Sequence, residues 1–164
     1  MKKVILGCII VALALNCTGM SFAAQFNDEA ELARKVIQAE RRLSIFRVMS
    51  LKEEEKVRFW PVYEGYVSEM EDINDRMVAL IRELSMNYEN VSDEKALEML
   101  TEMFSIEKDK LVLKDEYVKK FEKILPGVKV ARFFQTEEKL DAQRDMNLAA
   151  QVPLIGGMKG SQRQ

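Results

Sequence analysis

Apolar residues recur at alternating steps of three and four from about residue 27 onward, which is the period of amphipathic α-helices. The pattern predicts four helices. The first begins near Asn27 or Asp28 and has acidic residues in its first turn, where the helix dipole favours negative charge. Its predicted apolar face consists of Leu32, Val36, Ala39, Leu43 and Phe46.

The second predicted helix has Ser50 as its N-cap, and Glu53 completes a capping box. Pro61 falls inside this pattern and costs a helix interior about 3 kcal/mol. Either the helix kinks at Trp60-Pro61, or a short helix ends there and another begins. Beyond Pro61 the apolar seam of a long helix, packed nearly parallel or antiparallel to another, consists of Tyr63, Tyr66, Met70, Ile73, Met77, Leu80 and Leu84.

The third helix is predicted to start in the capping segment 90–94 and to end before Pro126-Gly127. Its apolar face consists of Leu97, Leu100, Met103, Phe104, Leu111, Leu113, Tyr117, Phe121 and Ile124. The fourth helix runs from about Val128 to Val152, and Pro153 stops it. Its apolar side consists of Val130, Phe133, Phe134, Leu140, Leu148 and Val152. Residues 153–164 are predicted to be a disordered tail.

The composition supports an all-α fold. Only 7 glycines and 3 prolines occur in 164 residues, and residues that favour helices are abundant. We expect a single domain of four helices built as an extended helical hairpin with a kink near Pro61. An extended hairpin covers less of its apolar surface than a compact domain, so the surface left outside is expected to carry the function.

The amino terminus has the features of an export signal. Lys2 and Lys3 precede an apolar run over residues 4–15, and small residues lie at the −3 and −1 positions of a cleavage site after Ala23. An uncleaved anchor is the alternative, but this run is short of the roughly 20 residues that span a bilayer. The segment before Cys17 is a poor lipid-attachment sequence. The prediction is a signal peptide over 1–23, a helical domain over 24–152 and the tail over 153–164.

Few residues offer catalytic chemistry. The chain has no histidine, and its two cysteines, Cys8 and Cys17, both lie in the predicted signal peptide. The mature chain would therefore lack the commonest general base, a disulfide and a thiolate metal site. The near-neutral formal charge of the full chain, −2, does not favour a nucleic-acid partner. We expect a protein that is not an enzyme and has no catalytic residues, no cofactor and no metal site.

Three groups of segments together resemble a known family. They are 49–55 with 59–63, 111–117 with Phe121, and 125–126 with 129–135. These segments resemble the Spy/CpxP-like periplasmic helical proteins, which carry Leu-Thr-x-x-Gln motifs, and the likeness covers residues 26–154. It implies a curved, dimeric, all-α hairpin in the periplasm that holds unfolding proteins without ATP or inhibits an envelope-stress sensor. Lys52 and Glu55 stand where the motif has Thr and Gln, so the motif's hydrogen bonding does not carry over.

Two functions follow as expectations. The first is chaperone-like binding of partly unfolded envelope proteins on an apolar surface with a charged rim. The second is a regulatory module that docks to a membrane sensor domain. The residues expected to bind a client or partner are Phe59, Trp60, Tyr63, Phe133, Phe134, Arg41, Arg42 and Arg47. For the aromatic residues, packing in the core is the open alternative, since Tyr63 lies on the predicted seam.

Overall fold

The computed structural model describes residues 18–149, 152 and 154–155, which fall into two units that meet between residues 44 and 45. These residues form four helices and no strand, so the all-α prediction is confirmed. The helices are α1 (Thr18–Met49), α2 (Glu53–Asn87), α3 (Asp93–Glu122) and α4 (Gly127–Ala149). Most of the predicted signal peptide and of the predicted tail lies outside the described residues.

The described part of the first unit consists of α1 up to Ser44. This helix begins at Thr18, upstream of the start predicted near residue 27. Its predicted apolar face is not a buried face, because Leu32, Val36 and Leu43 are exposed. The described residues of this unit, 18–44, all belong to α1, so none of them forms a second element that could cover an apolar stripe.

The second unit contains the last turn of α1 together with α2, α3 and α4. Helices α2 and α3 form a hairpin, and α4 packs on α3. Its main core cluster lies where the beginnings of α2 and α4 meet the end of α3. The residues of this cluster are Ile45, Met49, Phe59, Tyr63, Tyr66, Met70, Leu113, Tyr117, Phe121, Leu125, Val130 and Phe133.

The start of α2 differs from the prediction. Lys52, not Ser50, is the N-cap, and the Lys52 backbone N–H donates to the Glu55 carboxylate over 2.8 Å. Ser50 instead has a positive φ of 45°, which turns the chain between α1 and α2. A lysine side chain has no acceptor, so only the Glu55 half of a capping box is chemically possible here. Pro61 lies inside α2, which runs on to Asn87 as one helix.

Helix α3 starts within the predicted capping segment 90–94, and α4 starts one residue before the predicted Val128. The Ser92 hydroxyl accepts from the Lys95 backbone N–H over 3.2 Å and caps α3. At α4, the Pro126 carbonyl accepts from the N–H groups of Lys129 and Val130. Both starts follow the residue types that favour helix initiation and chain turns.

The beginnings of α2 and α4 also resemble each other. The segment Arg58-Phe59-Trp60 of α2 is similar to Arg132-Phe133-Phe134 of α4, which lies 74 residues later. The same distance of 74 residues separates Glu55 from Lys129. Phe59 and Phe133 meet edge to face, with ring centroids 5.7 Å apart. The two similar segments therefore pack against each other at one end of the second unit.

Candidate functional site

The aromatic residues that the sequence nominated as a binding surface lie mainly in the core. Phe59 and Phe133 are completely buried, and Tyr63 is almost so. Phe121 packs on Phe133 with ring centroids 4.6 Å apart. This corrects the interpretation of these three nominated residues as contact residues for a partner, because neighbouring rings already cover them.

Trp60 and Phe134 lie at the edge of this cluster and are half-buried. Trp60 meets Phe59 edge to face at 5.1 Å, and Phe134 meets Phe133 in the same way at 4.9 Å. Each therefore has one side against the core and part of its surface open to solvent.

The nominated arginines are divided between the two units. Arg41 and Arg42 belong to the first unit, whereas Arg47 belongs to the second. Arg42 and Arg47 are exposed, and Arg41 is half-buried. In the second unit, Arg47 lies beside Phe46 and Val48, which are also exposed.

An apolar groove lies at the opposite end of the second unit, between α2, α3 and the end of α4. It encloses about 470 Å³. Its apolar lining residues are Met77, Val78, Ile81, Met103, Phe104, Ala149 and Val152. Its polar lining residues are Asn74, Glu107, Lys110, Arg144 and Asp145. Phe104 is 61% exposed, which is unusual for an aromatic side chain next to other apolar residues.

The groove follows from unequal helix lengths. Helices α2 and α3 have 35 and 30 residues, whereas α4 has 23. At a rise of about 1.5 Å per residue, α4 is too short to cover the whole hairpin. The part of the hairpin beyond Ala149 is left with an apolar face that no helix described for the second unit covers. Leu97 and Leu100 of α3 are exposed as well.

Charged residues at the groove are paired with each other. Lys110 has a buried side chain whose ammonium donates to the Glu107 carboxylate over 2.9 Å. Arg144 donates to the Asp145 carboxylate over 2.9 Å. Each pair joins opposite charges, so the rim is close to electrically neutral.

Two bridges hold the helices around this groove in place. Arg76 of α2 donates to Glu102 of α3 over 2.9 Å and also to Asp109. Lys114 of α3 donates to Glu138 of α4 over 2.6 Å and to Asp141 over 3.2 Å.

The charge of Lys114 is preserved despite its surroundings. Partial burial works against the ammonium, but the hydrogen bond to Glu138 and the attraction of Asp141 outweigh it and raise the pKa of Lys114. Lys114 therefore keeps its positive charge over the physiological pH range.

Sequence reasoning missed the groove as a site. Met77, Met103 and Phe104 were assigned to apolar faces, and Val78 and Ile81 were not singled out. The feature of the sequence that could have revealed the groove is helix length. The predicted fourth helix is shorter than the second and third helices, so it cannot cover them completely. Apolar residues of the second and third helices that the fourth helix is too short to reach were therefore candidates for exposure.

Comparison with protein-family models, curated proteins and solved structures finds no match to this chain. Within the described residues, no group of three or more His, Cys, Asp or Glu side chains is placed to hold a metal ion. None of the helices described has the length and apolar content needed to cross a bilayer.

Proposed function

We propose that this protein is a periplasmic, ATP-independent chaperone-like protein that binds apolar segments of partly unfolded envelope proteins in the groove between α2, α3 and α4. The supporting observation is Phe104, which lies 61% exposed beside Met77, Ile81 and Met103. Methionine side chains are flexible and polarisable, so a surface rich in them adapts to segments of different shape. The predicted export signal supports the periplasmic location. The homodimer is part of the proposal because the Spy/CpxP-like proteins that the sequence resembles imply one.

Holding a client in this way requires no chemical step. An apolar segment that enters the groove exchanges water for contacts with the floor, and each 100 Å² of apolar surface buried contributes roughly 2.5 kcal/mol before the cost of association. Such contacts are not directional, so they suit many clients of low sequence similarity.

Light scattering tests this proposal. Several unrelated denatured proteins are refolded with and without equimolar protein and without nucleotide. We expect suppressed aggregation with the wild type and with Val57→Asp, which changes a residue 76% exposed and outside the groove lining. We expect weaker suppression with Phe104→Asp. No suppression of any client by the wild type would refute the proposal.

A regulatory module that docks to a membrane sensor domain is the second candidate. Its support is Arg47, an exposed cation near the end of α1 that follows the exposed Phe46 in the sequence. An exposed cation suits an acidic partner. Arg47→Glu would abolish binding to that single partner and leave the suppression of aggregation unchanged.

A further inference from the structure

One side of α1 in the first unit is apolar and exposed. It consists of Leu32, Val36, Ala39 and Leu43, all of which are exposed. Their spacing of four, three and four residues places the four side chains along one side of the helix, over about 17 Å. These four residues form the α1 stripe.

The opposite side of α1 is polar. Arg34, Gln38 and Arg41 lie there, and the last two are half-buried. A helix at the surface of a soluble domain normally buries its apolar side and exposes its polar side. In α1 the order is reversed, because the α1 stripe is more exposed than Gln38 and Arg41. A continuous apolar row that is left exposed in this way is typical of a surface that binds a partner.

The part of α1 that carries the stripe is basic. Residues 32–44 contain four basic residues and one acidic residue, a net charge of +3, whereas the full chain has −2. Three acidic residues precede this part of α1, at positions 28, 29 and 31. Lys35 and Arg42 are exposed and lie seven residues apart, so they follow one edge of the α1 stripe.

This arrangement of charge distinguishes between possible partners. A second copy of the chain fits poorly, because it would bring an identical segment of charge +3 against the first. An anionic lipid surface fits both features of the helix. Apolar side chains enter the boundary between headgroups and acyl chains, and the long side chains of lysine and arginine at the edge reach the phosphates.

We infer that the α1 stripe binds this protein to the surface of an anionic lipid bilayer. Leu32, Val36 and Leu43 insert between the headgroups, and Lys35 and Arg42 contact the lipid phosphates. This inference goes beyond the proposed function, because it states where in the envelope the protein acts. It does not depend on client binding, since the residues that line the groove belong to the second unit.

Cosedimentation with lipid vesicles measures this binding. The mature chain that the predicted cleavage after Ala23 leaves is mixed with vesicles of phosphatidylcholine and phosphatidylglycerol in equal parts, or of phosphatidylcholine alone. We expect binding to the anionic vesicles to be about tenfold tighter or more, and to weaken with added salt. Absence of binding, or equal binding to both kinds of vesicle, would overturn the inference.

Two pairs of variants locate the binding on the α1 stripe. Leu32→Gln should weaken binding to anionic vesicles by about fivefold or more. Ile37→Gln should leave it unchanged, because Ile37 is 62% exposed, compared with 63% for Leu32, but lies off the stripe. Arg42→Gln should weaken binding more than Arg34→Gln, since both remove one positive charge and only Arg42 lies at the edge of the stripe. Equal effects within either pair would overturn the inference.

Sedimentation without vesicles tests a second copy as the partner. We expect Leu32→Gln to leave the mass of the protein in solution unchanged. Conversion of a dimer into a monomer by Leu32→Gln would show that a second copy covers the α1 stripe and would overturn the inference. Lipid binding is measured without a client, so a failure to suppress aggregation would overturn only the proposed function.

Discussion

Glu55 and Lys129 are each the third residue of a helix, and the Lys129 ammonium donates to the Glu55 carboxylate. Lys129 also donates to the Ser50 carbonyl over 3.3 Å. A cation is unfavourable at a helix start, and α4 has no acidic residue in its first turn. Glu55 provides the missing negative charge and links the starts of α2 and α4.

The first prediction concerns acid stability. The hydrogen bond from Lys129, followed by that from the Lys52 backbone, lowers the pKa of Glu55 below its ordinary value of 4.5. The contribution of Glu55 to folding is therefore fully present above pH 4.5 and is lost as the pH falls through the lowered pKa. We expect Glu55→Gln to unfold more easily than the wild type at pH 7, with a difference that shrinks below pH 4.5.

Urea unfolding at a series of pH values measures this effect. Glu54→Gln is the matched control, because Glu54 is the exposed neighbour of Glu55 in the same helix turn. The free energy of unfolding of Glu54→Gln should stay close to that of the wild type at every pH. If the stability that Glu55→Gln loses relative to the wild type stays constant down to pH 2, the result would contradict the pairing of Glu55 with Lys129.

The second prediction concerns Gly65 of α2. A Cβ atom at this position would lie 2.8 Å from the Tyr117 hydroxyl oxygen, which donates to Glu69 over 2.7 Å. We expect Gly65→Ala to destabilise the protein by about 1–3 kcal/mol through this overlap, although alanine is the better helix former. Urea unfolding measures the change.

Two controls isolate the overlap at Gly65. Gly127→Ala adds a Cβ that meets no atom within 4 Å, so it should be neutral or stabilising by up to about 1 kcal/mol. Combining Gly65→Ala with Tyr117→Phe removes the hydroxyl and should recover most of the loss. If the double variant is as destabilised as the sum of both changes, the contact is not the cause.

The third prediction concerns the turn at Ser50. Its φ of 45° is in the left-handed region, which costs a non-glycine residue roughly 1–2 kcal/mol. We expect Ser50→Gly to be neutral or slightly stabilising and Ser50→Val to lose at least about 1 kcal/mol, because a β-branched side chain is disfavoured there. Thermal unfolding measures the stability of each variant. Ser68→Val, at an exposed helical position, is the control. Equal stability of both valine variants would show that Ser50 is not strained.

The fourth prediction compares two phenylalanines. Phe59 is completely buried, so Phe59→Ala leaves a cavity and should cost about 3–5 kcal/mol. Phe104→Ala removes a ring that is mostly exposed and should cost less than about 1 kcal/mol. Chemical unfolding of both variants checks the ranking. A large loss for Phe104→Ala would mean that this ring supports the fold and is not a free surface.

Much of the fold was accessible from the sequence, because helix periodicity and capping residues act locally. The capping segment 90–94 contains the N-cap of α3, Ser92, and Pro126-Gly127 lies at the boundary between α3 and α4. The start of α2 was misplaced because Ser50, a good N-cap by type, is used in the turn, while Glu55 stabilises the N-terminus from inside the helix. Local residue preference did not reveal that Glu55 would also pair with Lys129.

The groove was less accessible, because periodicity identifies apolar faces without saying what covers them. Phe59 and Phe104 have the same side chain and similar helical settings, yet one is buried and the other is exposed. The difference depends on which helix faces pack against each other, which is a tertiary property. Sequence reasoning favoured the aromatic cluster near Pro61 because large rings are concentrated there, and that same concentration makes it the core.

The most direct test of the groove is site-specific photo-crosslinking. A benzophenone amino acid is placed at Phe104 in one variant and at Val57 in another, and each is irradiated with several unrelated denatured clients. The proposal predicts crosslinks to every client from position 104 and few from position 57. Equal crosslinking from both positions, or none from position 104, would contradict the assignment of the groove as the binding site.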